Sequence, residues 1–178
     1  MTAGERIAAF LTTTQLPLSR TDTVEHGQSR RIVLGEGDLG GLREGRITGD
    51  AIRLFCRVYD RLGFGYAESV YINALVIELK AAGIPFEREK AVDAWYNGEC
   101  AGVFRADLVI ASKVIVEVKA TRVLAEAHRG QLLNYLRCSN LEVGLLLHLG
   151  PKAAYERLIH TNDRKSDVRA IGQKERPE

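Results

Sequence analysis

The chain has 178 residues, 46% of them hydrophobic and 27% charged, which leaves room for one ordinary domain with a core of its own. Its formal charge of +2 lies at the C-terminal end: residues 1–46 hold 6 Lys and Arg against 6 Asp and Glu, residues 47–150 hold 12 against 12, and residues 151–178 hold 7 against 5. Composition thus lends no support to a broad basic footprint. The apolar runs are too short to span a membrane, and no basic region leads into an apolar leader, so a cytoplasmic protein is expected. Cys56, Cys100 and Cys138 are odd in number and widely spaced, which argues against a disulfide frame or a zinc site. Cys56 and Cys138 read as small helix-face residues.

In chain order, residues 1–46 carry a short helical stretch (Glu5 to Leu11), a Thr-rich break and a dense set of glycines at 35, 37, 40, 41 and 45. Glycine at that density breaks helices and strands alike, and the segment reads as a loosely ordered arm. A helix is expected from Thr48, capped by Thr48 or Asp50, with Ala51, Leu54, Phe55, Val58 and Leu62 at helical spacing and Gly63 ending it. After the turn at Gly63-Phe64-Gly65, a second helix is expected from Ala67 to Ala82, closed by Gly83 and Pro85. Glu68 and Tyr71 are three apart in its first turns and share a face. Helix N-termini favour acidic residues in any case, and Tyr71 is equally well a packed aromatic.

Strands follow. Phe86 to Ala94, then Trp95-Tyr96 and Asn97-Gly98, return through Glu99 to Val103 as a hairpin that runs on into the strand bearing Asp107. A second hairpin joins Asp107–Ile110 to Val114–Val118 across Ala111-Ser112-Lys113. If Ile110 faces Val114, Asp107 faces Glu117. Val114, Val116 and Val118 then make one purely apolar face, while Ile115, Glu117 and Lys119 share the other. Val123 to Leu136 reads as a helix that brings Gln131 and Tyr135, four apart, to one side, with His128 three before Gln131. The nearly continuous apolar run Glu142 to Leu149 reads as a strand buried on both faces, parallel to the Glu117 strand through that helix. Tyr155 to His160 would add an edge strand. The polar tail from Thr161 is expected to fray.

Like charges opposite one another on adjacent strands cost roughly 0.2–1 kcal/mol, so Asp107 and Glu117 call for a partner. A divalent cation fits, because two carboxylates with a backbone carbonyl and water give a hard ion its oxygen shell. Lys119 would stand beside it, placed to orient a water or hold a phosphate. An exposed hairpin with a Glu-Lys pair accounts for the spacing equally well.

Ala106-Asp107, nine residues, then Glu117-Val118-Lys119 resembles the signature of the PD-(D/E)XK nuclease superfamily, with Ala106 in the place of the proline. Gly65-Tyr-Ala-Glu68-Ser-Val-Tyr71 fits the pattern of the GxxExxY protein family, and Gln131-Leu-Leu-Asn-Tyr135 is similar to the Gln-x-x-x-Tyr motif of RecB-like exonucleases. The resemblance covers Ile47 to Gly150.

It implies an α/β, restriction-endonuclease-like core: a central mixed sheet of antiparallel strands plus one parallel strand after a crossover helix, flanked by helices. The nuclease-like domain would span residues 47–160, between the arm and a tail from 161 to 178. It implies that Asp107 and Glu117, with the Val118 carbonyl, hold Mg²⁺ or Mn²⁺, that Lys119 positions the attacking water, and that Glu68 binds a second metal or its water. Gln131 and Tyr135 would orient Lys119 or the scissile phosphate. Lys113, Arg105, Arg122 and Arg129 lie near enough in sequence to contact phosphates, though surface solvation explains each equally well. The implied activity is metal-dependent hydrolysis of nucleic acid, DNA above all, by a monomer or homodimer. The alternative is an inactive module of the same fold that binds nucleic acid or a protein.

Overall fold

The computed structural model describes residues 42–97 and 99–165. The arm expected at residues 1–46 lies outside the described residues up to position 41. Among the described residues two helices come first, α1 (Gly45–Leu62) and α2 (Glu68–Ala81), then three strands, β1 (Phe86–Tyr96), β2 (Glu99–Ile110) and β3 (Val114–Lys119). Helix α3 (Glu126–Cys138) crosses to β4 (Val143–Leu149), and β5 (Ala153–Ile159) follows. The five strands lie in chain order, antiparallel except for the β3–β4 pair, which is parallel. This is the mixed sheet expected from the sequence.

Strand alternation divides the interior into two layers. Val114, Val116 and Val118 of β3, with Val143, Leu145, Leu147 and Leu149 of β4, point to one side and meet Ala51, Leu54, Phe55 and Val58 of α1 and Tyr71, Leu75 and Leu79 of α2. Ile115, Val109, Leu146 and Leu158 point to the other side, against Leu132, Tyr135 and Leu136 of α3. β3 and β4 are covered on both faces, which is why their sequences are so continuously apolar. Gly144 lets α3 come close, since a Cβ there would lie 2.9 Å from the Leu132 side chain.

Helix α1 begins at Gly45, three residues before the expected start at Thr48. Thr48 is no cap. Its buried hydroxyl bonds back to the carbonyls of Glu44 and Gly45, at 3.1 and 2.9 Å, a bond that competes with capping geometry. Helix α3 begins at Glu126 rather than Val123, because Thr121 Oγ1 donates to the Val123 carbonyl and folds those residues into a turn. His128 accepts from the Ala125 N–H at 3.3 Å and so caps α3.

Of the tail expected to fray from Thr161, residues 166–178 lie outside the described residues, and the stretch up to Lys165 is held in place. A short 3₁₀ turn (Asn162–Lys165) docks against the connection between α3 and β4, and Lys165, only 2% exposed, donates its ammonium to the Ser139 and Leu141 carbonyls at 3.1 and 2.6 Å. Sequence polarity gave the wrong expectation because a lysine can bury its charge where carbonyls at a helix end accept it. Replacing Lys165 with Ala leaves two carbonyls without their donor and should cost about 1–3 kcal/mol. Urea unfolding of Lys165→Ala should show the midpoint fall at unchanged slope; an unchanged midpoint would mean that the turn adds nothing.

Candidate active site

The site lies where β2 and β3 part. Their ladder runs through Ile110–Val114, Val109–Ile115 and Leu108–Val116 and then stops. At the next step the Asp107 side chain takes the place of a backbone acceptor: its Oδ2 accepts the Val118 N–H at 2.8 Å. The strand pair is tight because Ala111 and Ser112 both adopt left-handed conformations, with φ of +51° and +53°, and the Lys113 N–H closes the turn on the Ile110 carbonyl at 3.0 Å. The register expected from Ile110 facing Val114 is therefore observed, and carried one step past Leu108–Val116 it sets Asp107 across from Glu117.

Glu117 is 1% exposed, and its Oε2 is buried with no hydrogen-bond partner. Its other oxygen, Oε1, accepts from Lys119 Nζ at 2.6 Å. Burial is the main cause that pushes the Glu117 carboxyl up to about 7, and the Asp107 charge adds to it. Asp107 is also raised, by burial first, with the Val118 N–H working in the opposite direction. Burial alone would lower the Lys119 ammonium, but the hydrogen bond and charge of Glu117, with Glu68 and Asp107, outweigh it and hold Lys119 above its ordinary value.

Glu68 arrives from the opposite layer, at the first residue of α2. Its Oε2 accepts the Ala120 N–H at 3.3 Å, and its Oε1 stands 3.9 Å from Lys119 Nζ. Tyr71 fixes that geometry. Buried and 1% exposed, it donates its hydroxyl to the Gly63 carbonyl at 2.6 Å and accepts the Tyr66 N–H at 3.2 Å, which clamps the turn that leads into Glu68. Gly65 sits in that turn at φ +123°, open only to glycine without strain. Glu78, bonded to Arg57 and Arg61 at 2.9 and 2.8 Å, ties α2 to α1.

Gln131 and Tyr135 act as one unit. The Gln131 amide donates to the Tyr135 hydroxyl at 2.5 Å, rather than to either carboxylate, and Phe104 packs on the Tyr135 ring at 5.6 Å. The phenol is raised, first by burial and further by the charges of Glu117 and Asp107, so it lies within their field. Arg129 does not serve as a free cation here, because Nε pairs with the buried Glu156 at 2.7 Å. Lys113 pairs with Glu44 at 3.2 Å. Arg105 and Arg122 are exposed.

Glu89 carries no signal in the linear pattern. It reads there as one more charged residue on an edge strand. In the fold it sits opposite Asp107, between the pairs Arg88–Leu108 and Lys90–Ala106, at a left-handed φ of +48°. Such a conformation costs a side-chain-bearing residue about 1–3 kcal/mol, and it occurs here beside the carboxylates. The charge of Glu89 is one of the smaller causes that raise Asp107.

A family model of the PD-(D/E)XK nuclease superfamily matches residues 45–158. The chain belongs to that superfamily. Two solved structures are similar at low identity. The "Crystal structure of SSO0001" is 24% identical, with a TM-score of 0.44 over 71% of this chain and 63% of that one, so the chain spans under two thirds of its length. An alkaline exonuclease (LHK-Exo) from Laribacter hongkongensis is 10% identical, with a TM-score of 0.38 over 75% of this chain and 79% of that one. A search of curated proteins finds no match. In this PD-(D/E)XK chain Asp107, Glu117 and Lys119 come together at the end of the β2–β3 ladder, and Ala106 is fully buried against the α3 layer.

The donor set suits a hard cation. Two carboxylates meet at the fork, and one buried oxygen, Glu117 Oε2, has no partner. Among the described residues, no three His, Cys, Asp or Glu side chains close into a metal cage, so backbone carbonyl and water would supply the rest.

The raised Glu117 carboxyl makes stability depend on pH. The group titrates near 4.5 when unfolded and near 7 when folded, so between these values the folded state keeps a proton that the unfolded state has lost. Its contribution is full below the lower value and is lost as pH rises through the upper one. Glu117→Gln lacks this titration. In EDTA its melting temperature should gain on wild type between pH 4.5 and 7.5, and a difference constant across that range would contradict the raised carboxyl.

Proposed function

We propose that the protein is a divalent-cation-dependent nuclease that hydrolyses phosphodiester bonds of DNA. The observation that carries this reading is the buried, unpartnered Glu117 Oε2 beside Asp107, at a fork that also presents Lys119. Keeping two carboxylates together in such a place opposes stability, and a bound cation would reverse that. Asp107, Glu117 and the Val118 carbonyl would hold Mg²⁺ or Mn²⁺, with Glu68 binding a second ion or a water of its shell. A bound cation would lower the pKa of a water and offset the charge that develops on the phosphate.

The chain's own groups then have defined work. Lys119, drawn in by Glu117 and Glu68, would orient the attacking water and hold its proton balance at Nζ. The Gln131–Tyr135 pair would present a hydroxyl to Lys119 or to a phosphate oxygen from the α3 side. The positive φ of Gly65, the position of Glu68 and the clamp made by Tyr71 support membership of the GxxExxY branch, since each motif residue has a separate structural task. Among the described residues, no helix is long and apolar enough to cross a membrane, and a cytoplasmic setting suits a nuclease.

Labelled single- and double-stranded DNA and RNA, incubated with Mg²⁺, Mn²⁺ or EDTA, test the reading. Cleavage should require the cation, and Lys119→Ala should lower turnover by about 10²–10⁴-fold at an unchanged circular dichroism spectrum. Cation-independent cleavage, or a Lys119→Ala variant as fast as wild type, would place the chemistry elsewhere. Binding without any cleavage would favour the inactive module.

A further inference from the structure

The turn between α1 and α2 leaves two aromatic rings in water, Phe64 at 40% and Tyr66 at 51% exposure. Phe64 precedes the GxxExxY stretch, and Tyr66 occupies one of its unspecified positions. The turn that carries them is fixed at both ends: the Gly63 N–H is bound by the Tyr59 carbonyl at 2.7 Å, and the Gly63 carbonyl and Tyr66 N–H are both bound by the Tyr71 hydroxyl. The Tyr66 and Tyr71 rings meet in a T-shape, with centroids 6.1 Å apart and planes at 89°. This contact leaves much of the Tyr66 ring exposed, so a flat π-surface is held in a set orientation before any ligand arrives.

Its position is informative. Glu68 follows two residues later, so the Tyr66 and Glu68 Cα atoms lie within about 7 Å of each other. The Glu68 carboxylate is anchored on Ala120, just past the end of β3. Across that strand end the chain continues into exposed Arg122 and Val123, held by Thr121, whose carbonyl meets His148 Nε2 at 2.7 Å. The turn that carries the two rings is thus the one that delivers Glu68 to the end of β3.

Building on the nuclease reading above, we propose that Tyr66, with Phe64 beside it, stacks against an unpaired nucleobase of the strand to be cut. The substrate class is then single-stranded DNA or a duplex with a single-stranded end, rather than a fully paired duplex. Charge balance favours this occupant. Residues 47–150 hold equal numbers of basic and acidic residues, and Arg57, Arg61, Lys113 and Arg129 are engaged in ion pairs, so phosphate attraction is a weak source of affinity. Stacking works without net charge and tolerates any base, because each base has a π-face. A protein partner would need roughly 800 Å² on each side, far more than two rings offer.

Fluorescence anisotropy in EDTA separates this proposal from the nuclease reading, because it measures binding without turnover. The probes are a labelled single strand, the same sequence as a blunt duplex, and single strands carrying one abasic nucleotide at successive positions. Tyr66→Ala should weaken single-strand binding about tenfold, about 1.4 kcal/mol, and leave blunt-duplex binding within about twofold. Tyr66→Phe should bind as wild type. One abasic position should weaken wild type and make it indifferent to Tyr66→Ala, as expected when ring and base are each other's partner. Equal weakening on single strand and duplex, no weakening on the single strand, or a Tyr66→Phe defect as large as that of Tyr66→Ala would overturn the proposal. If Tyr66→Ala melts early through its contact with Tyr71, Phe64→Ala carries the same comparison. A protein that binds single strands through Tyr66 yet cuts nothing would sustain this inference and sink the nuclease reading.

Discussion

The single hydrogen bond from the Val118 N–H to Asp107 Oδ2 organises this protein. It stands where the β2–β3 ladder gives out and lets the strands separate without stranding a buried donor, since a lost backbone partner costs about 1–3 kcal/mol. Because a carboxylate rather than a carbonyl accepts there, a negative charge is fixed at the fork. β3 continues from the same point with Glu117, which the sheet register turns towards that charge and which the α3 layer covers. One local substitution of a side-chain acceptor for a backbone one thus creates the opening, the charge and the clash together.

The remainder of the fold holds that unfavourable arrangement in place. β3 and β4 are packed on both faces, so the strand that carries Glu117 and Lys119 cannot relax outward. From one layer, Tyr71 and Glu78 fix α2 so that Glu68 caps the end of β3. From the other, Leu132 against Gly144 draws α3 close and brings the Gln131–Tyr135 pair into the field of the carboxylates. The strained Glu89 opposite Asp107 adds a further cost that only the surrounding sheet can support. Destabilising features concentrated at one point, with rigid layers on both sides, are the pattern expected of a site under functional constraint.

The basic residues show how little charge alone reveals. Arg57 and Arg61 bracket Glu78, Arg129 pairs with Glu156, and Lys113 with Glu44. These cations serve the fold. Part of the basic complement of residues 47–150 is thus already matched to carboxylates of the same chain.

The sequence by itself determined the order of elements, the face of each strand and the pairing of Asp107 with Glu117. Period-two alternation and a three-residue turn leave only one register that buries Val114, Val116 and Val118 together. It placed Glu68, Tyr71, Gln131 and Tyr135 on helix faces, but a helix face has no direction until the helix is packed. Only the tertiary structure decided that Glu68 meets Lys119 and Ala120, that Gln131 addresses Tyr135, that Arg129 is taken by Glu156, and that His128 caps its own helix. The same holds for Lys165, whose polarity predicted a frayed tail until two carbonyls from Ser139 and Leu141 gave its ammonium a buried partner. Local patterns are set by backbone geometry and by which side chains water rejects. The partner of a charge is set by long-range packing, which a linear pattern does not contain.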